Sequence, residues 1–169
     1  IDIQKGTVTM SYAIVYSSRT GNTQLLAQAL RDALPADECV YFGAPSAQAL
    51  QADTVYAGFW TDKGTCDEAA GEFLRSLHGK RVFLFGTAGL GGAPAYFEGI
   101  LERVRTLLAK DVTVIGSYMC QGKMPQPVRD RYEAMEESPH RTSMLENFDR
   151  AFSHPDADDL ARLKAAVTK

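Results

Sequence analysis

Short apolar runs alternate with helical patterns along most of this chain, and few folds tolerate that alternation. Tyr12–Tyr16, Cys39–Phe42, Thr54–Trp60, Arg81–Phe85 and Val112–Met119 read as strands. Between them, Leu25, Leu26, Ala29, Leu30 and Ala33 repeat at helical spacing until Pro35 stops them. Ala69, Ala70, Phe73, Leu74 and Leu77 share one helical face that ends at Gly79. Gly86–Gly92 reads as loop, and Pro94 suits the first turn of a helix that buries Phe97, Ile100, Leu101, Val104, Leu107 and Leu108. The pattern predicts an α/β chain with a doubly wound, five-stranded parallel sheet and helices on both faces. Arg81–Phe85, nearly all apolar, fits a strand buried on both sides. Ligands of such sheets bind beyond the carboxyl ends of the strands, where strand order reverses.

The loop after the first strand falls on that edge. Ser17-Ser18-Arg19-Thr20-Gly21-Asn22-Thr23 joins a strand directly to a helix. Turn amides and the free N–H groups of the helix's first turn then converge on one place, where an anion is favoured. Ser18, Thr20 and Thr23 offer hydroxyls, and Gly21 lets the backbone come close. No lysine stands where a nucleoside triphosphatase carries one, so the loop is suited to a monophosphate.

After Met119 the alternation stops. Val128, Tyr132 and Met135, then Leu145, Phe148 and Phe152, mark two amphipathic helices broken at Ser138-Pro139. A last helix is expected from Pro155-Asp156, with Asp156, Asp158 and Asp159 at its start and Lys164 and Lys169 late. These are extra C-terminal helices beyond the sheet. Residues 1–9 read as an expression remnant or disordered leader before Met10, leaving 10–169 as one domain.

Formal charge is −3, from 18 basic and 21 acidic residues, which argues against a nucleic-acid surface. No run approaches a membrane span or a signal sequence, and Cys39, Cys66 and Cys120 form no paired motif, so a reducing cytoplasm is expected. His78, His140 and His154 lack ligand spacing, and no metal site is expected. Cys120, at the end of the fifth strand, reads as a small buried hydrophobe or as a redox thiol on the active edge.

Three doubly wound alternatives fail on this loop. A phospho-receiver needs an acidic pair after strand one and an Asp ending strand three, where Ser17-Ser18 and Phe59-Trp60 stand. A low-molecular-weight phosphatase needs a cysteine opening the loop, and a dinucleotide turn needs G-x-G-x-x-G. Ser18-Arg19-Thr20-Gly21-Asn22-Thr23 instead resembles the phosphate loop of flavodoxins, and the resemblance spans Met10 to Met119. Gly58-Phe59-Trp60-Thr61-Asp62-Lys63-Gly64-Thr65 resembles the loop that sets an aromatic against the flavin, with Trp60 as the platform. Thr87-Ala88-Gly89-Leu90-Gly91-Gly92 resembles the second flavin loop; Leu90 is its one bulky residue and Tyr96 the nearest aromatic after it.

The resemblance implies an FMN-binding electron carrier that exchanges electrons with a partner oxidoreductase, as a monomer or homodimer and with no catalytic residue of its own. It implies that Asp62, Asp67 and Glu68 place negative charge beside the flavin and lower its potential. By the same analogy, Gly64 allows a peptide to reorient and offer its carbonyl to the reduced ring. Arg19 either reaches the phosphate or extends into solvent. The basic Lys123–Phe152 segment reads as two surface-packed helices, or as a partner-docking surface or cover over the flavin edge. An NAD(P)H-dependent FMN or quinone reductase, and an interaction protein that has lost its flavin, are the alternatives on this fold.

Overall fold

A computed structural model describes residues 11–91 and 93–168. The expected leader, Met10, Gly92 and Lys169 lie outside the described residues. Five strands run parallel in the order β2-β1-β3-β5-β6: β1 (Tyr12–Tyr16), β2 (Cys39–Gly43), β3 (Thr54–Asp62), β5 (Arg81–Ala88) and β6 (Thr113–Gln121). The chain reverses its direction of growth between β1 and β3. That junction is the switch point where a doubly wound sheet opens a crevice.

Alternation along each strand supplies both faces of the core. Ala13 and Val15 face one way, with Val55, Phe59, Leu84 and helices α2 (Glu68–Arg75) and α3 (Pro94–Arg105). Tyr12 and Ile14 face the other, with Phe83, Phe85, Cys120 and helices α1 (Asn22–Ala33) and α6 (Ala157–Val167). Helices α4 (Gln126–Glu133) and α5 (Pro139–Ala151) follow the last strand, with Ser138 capping α5 through the Arg141 amide. Asp156 and Asp159 close a reciprocal capping box on α6, which ties the acidic start foreseen for that helix to its backbone.

Two elements differ from the sequence reading. β3 runs on to Asp62, turns at Lys63-Gly64 and pairs antiparallel with a two-residue strand, β4 (Thr65–Cys66). Positive φ at both turn residues, 54° and 85°, is the geometry that matches strand twist in a two-residue hairpin. Gly86, Thr87 and Ala88 belong to strand β5 and not to a loop, because β6 and β3 extend far enough to pair with them.

Candidate functional site

At the carboxyl edge, the β1–α1 loop, the end of β3, the Lys63-Gly64 turn and the end of β5 border a cleft of about 640 Å³. That is within the range of roughly 300–1,000 Å³ typical of small-molecule sites. Of the residues singled out from sequence, Arg19, Thr20, Asn22, Trp60, Thr61, Asp62, Gly64, Thr87, Ala88, Gly89, Leu90 and Tyr96 line it.

Helix α1 meets the cleft with an open N-terminus. Its cap residue is Gly21 in the left-handed region (φ 94°), no side chain caps it, and no acid lies in its first turn. The Asn22 and Thr23 amides and the positive dipole end are therefore left for an external anion, because Ser18 takes the other two amides of the first turn. Ser18 braces the loop from within, its Oγ accepting the amides of Gly21 at 3.1 Å and Gln24 at 3.4 Å. Asn22 donates to the Lys123 carbonyl at 2.8 Å and so anchors the loop to the chain after β6.

Several expected roles are corrected. Thr23 is fully buried, and its hydroxyl donates to the Phe59 carbonyl at 3.1 Å and lies 3.2 Å from Thr87 Oγ1. It fastens α1 to β3 and β5 beneath the cleft instead of facing a phosphate. Phe59 is fully buried in the core, since successive strand residues point to opposite faces and Trp60 takes the cleft side. Ser18, Gly21 and Gly91 do not line the cleft either, and Gly92 falls outside the described residues. Arg19 is exposed, and its guanidinium lies 5.4 Å from the Trp60 ring centroid.

The charge expected around the site also differs. Asp67 is buried, accepting the Trp60 amide at 3.2 Å and the Ala70 amide at 3.1 Å as the cap of α2. Glu68 is not in the cleft wall, and Asp62 is its sole carboxylate among the described residues. The Gly64 carbonyl is taken by Arg103 Nε at 2.6 Å, so the peptide reorientation foreseen at Gly64 would have to break that bond.

Sequence reasoning missed one wall. Met124, Pro125, Pro127, Val128, Arg131 and Tyr132, from the β6–α4 connection and α4, line the cleft together with the residues after β1 and at the ends of β3 and β5. Of the Lys123–Phe152 segment, residues from Lys123 to Tyr132 reach the cleft edge, and none of Pro139–Phe152 lines it. It also missed a clamp behind the cleft: Gln121 Nε2 and Asn147 Nδ2 both donate to the Gly89 carbonyl, at 3.1 and 2.9 Å. Gln121 Nε2 also donates to Asn147 Oδ1 at 3.1 Å, so α5 holds the loop after β5 through a buried amide pair. A planar trans peptide points its C=O and N–H in opposite directions. Drawing the Gly89 carbonyl toward α5 therefore turns the Leu90 N–H away from that helix.

Cys120 is buried, and burial, then the nearby Asp159 and Asp156 carboxylates, push its thiol well above the usual range. It is a packing residue, held protonated and unreactive at neutral pH. His154, Asp156 and Asp159 lie together, with 2.6 Å between His154 Nδ1 and Asp159 Oδ2, but the carboxylates are engaged in the α6 cap. All three cysteines are free, and no helix among the described residues is long and apolar enough to cross a membrane.

Fold and cleft together define an α/β protein of the doubly wound, flavodoxin-like class, with its crevice at the strand-order switch. A model of the flavodoxin domain matches residues 13–168, and the chain belongs to that family. It is 41% identical over 174 residues to the flavodoxin-like domain-containing protein BilS of Clostridium symbiosum, covering 90% of this chain and 91% of that one. Among solved structures, the apo form of an NADH:FMN oxidoreductase superimposes with a TM-score of 0.54 at 16% identity, covering 95% and 92% of the two chains. A Fusobacterium nucleatum flavodoxin mutant bound to flavin mononucleotide gives 0.52 at 19% identity, covering 65% and 70%.

Proposed function

We propose that this chain is an FMN-binding electron carrier that exchanges electrons with a separate oxidoreductase in the cytoplasm. The observation that carries the reading is the start of α1, whose glycine cap has no side chain and whose first turn has no acid, opening into the same cleft as Trp60 and Ala88-Gly89-Leu90. The donor set fits FMN. Helix amides and the Thr20 hydroxyl suit the phosphate. Trp60, Tyr96, Met124 and Tyr132 offer apolar faces for the ring, and the peptides from Ala88 to Leu90 offer hydrogen bonds to its polar edge. The flavodoxin related in fold is one whose structure contains that nucleotide.

Bound FMN would supply the redox chemistry; the protein binds it, orients it and sets the field around it. Trp60 and the α4 wall would shelter the ring from water, while the open mouth leaves an edge for exchange.

The test is anaerobic. NADH or NADPH alone leaves the FMN-loaded chain yellow, and a catalytic amount of a flavodoxin reductase then bleaches it. Rapid bleaching by nucleotide alone would assign a reductase instead.

A further inference from the structure

The cleft is basic in an acidic protein. Four cations line it, Arg19, Lys63, Lys123 and Arg131, against the single carboxylate of Asp62, while the whole chain carries a formal charge of −3. All four cations are exposed, and among the described residues none is in an ion pair. Arg19 and Lys123 instead rest over the rings of Trp60 and Phe152, at 5.4 and 5.3 Å. An aromatic face positions a cation without cancelling its charge. The acids beside Arg131 on α4 are occupied: Asp130 accepts from Gln126, and Glu133 pairs with Arg129.

We propose that the mouth of this cleft is the docking surface for a redox partner whose own docking face is rich in carboxylates. This rests on the electron-carrier reading and names the chemistry of the partner. The four cations come from four separate elements: the β1–α1 loop, the β3–β4 turn, the β6–α4 connection and α4 itself. A small anion meets one or two such groups, whereas an acidic protein face meets them all. Unpaired charges of one sign around a low-dielectric cleft focus the field and steer association.

The test uses charged oxidants on the chemically reduced, FMN-loaded chain in stopped flow. Two ferricyanide ions take the two electrons of one reduced cofactor and become ferrocyanide, and the flavin's protons pass to solvent. Raising salt from about 10 to 500 mM shortens the screening length from about 30 Å to under 8 Å. The bound phosphate, held at the start of α1, offsets part of the excess of four cations over one carboxylate, so the ferricyanide rate is expected to fall about two- to threefold and the rate with cationic hexaamminecobalt(III) to rise. A deca-glutamate peptide should slow ferricyanide at low salt, and glutarate at equal carboxylate concentration should not. The double reversal Lys123→Glu with Arg131→Glu should invert both salt trends. Opposite trends in the parent chain would mean that net charge governs the exit and would overturn the proposal. Equal inhibition by glutarate would overturn it in favour of a small-anion subsite. A chain that takes up no FMN fails the flavin reading itself, and the docking role with it.

Discussion

Phe59→Ala is expected to lower the unfolding free energy by about 3–5 kcal/mol, the usual cost of emptying a fully buried aromatic site. Phe59 has no solvent exposure, and its ring fills the space opposite Gly86 on the neighbouring strand. The strands interlock twice. Gly58 pairs with Phe85 and Phe59 with Gly86, and a Cβ on either glycine would lie 2.4 Å from the facing ring. Gly86→Ala should therefore also destabilise, by about 1–3 kcal/mol, because neither buried ring has room to move. Against a total of roughly 5–15 kcal/mol, the Phe59 change is severe. Urea unfolding of the FMN-free chain measures both. A loss below about 1 kcal/mol for Phe59→Ala would return Phe59 to the cleft, where the sequence reading had placed it.

Trp60→Ala should act in the opposite way: small on stability, large on flavin. Trp60 is half-buried and faces the cleft. Losing a stacked indole and the apolar area it covers is worth about 2–3 kcal/mol, or roughly 30- to 150-fold in FMN affinity. Trp60→Phe should recover most of it. Fluorescence titration reads the affinity, and an unchanged dissociation constant for Trp60→Ala would remove the indole from the binding surface. Because Arg19 lies on the same ring in the FMN-free chain, Arg19→Ala frees the indole face and removes a cation from the cleft at once.

Local chemistry was readable in advance, and non-local chemistry was not. The β1–α1 junction could be recognised because strand, loop and helix are contiguous, and the open start of α1 depends only on Gly21 and its neighbours. The assignment of Phe59 beside Trp60 to one site ignored the period of two that sends neighbouring strand residues to opposite faces. Thr23 and Asp67 look like site residues in sequence because they are polar and flank the right loops. Only the fold reveals that their oxygens are consumed by Phe59, Trp60 and Ala70.

The α4 wall has a signal that carried two meanings. Val128 and Tyr132 at i and i+4 mark one apolar helical stripe, whether it packs on a core or on a ligand cleft. The Gln121–Asn147 clamp has no signal at all, since it joins residues 26 apart through contacts that depend on where α5 lands. The basic mouth is similarly scattered, from Arg19 to Arg131, in a chain whose summed charge points the other way.

The most direct test is titration of the purified, flavin-free chain with FMN, following flavin and Trp60 emission together. One equivalent is expected to quench both, with riboflavin binding far more weakly because it lacks the phosphate that the start of α1 would hold. No quenching, or equal affinity for FMN and riboflavin, would contradict a phosphate seated on that helix and the cofactor site built around it.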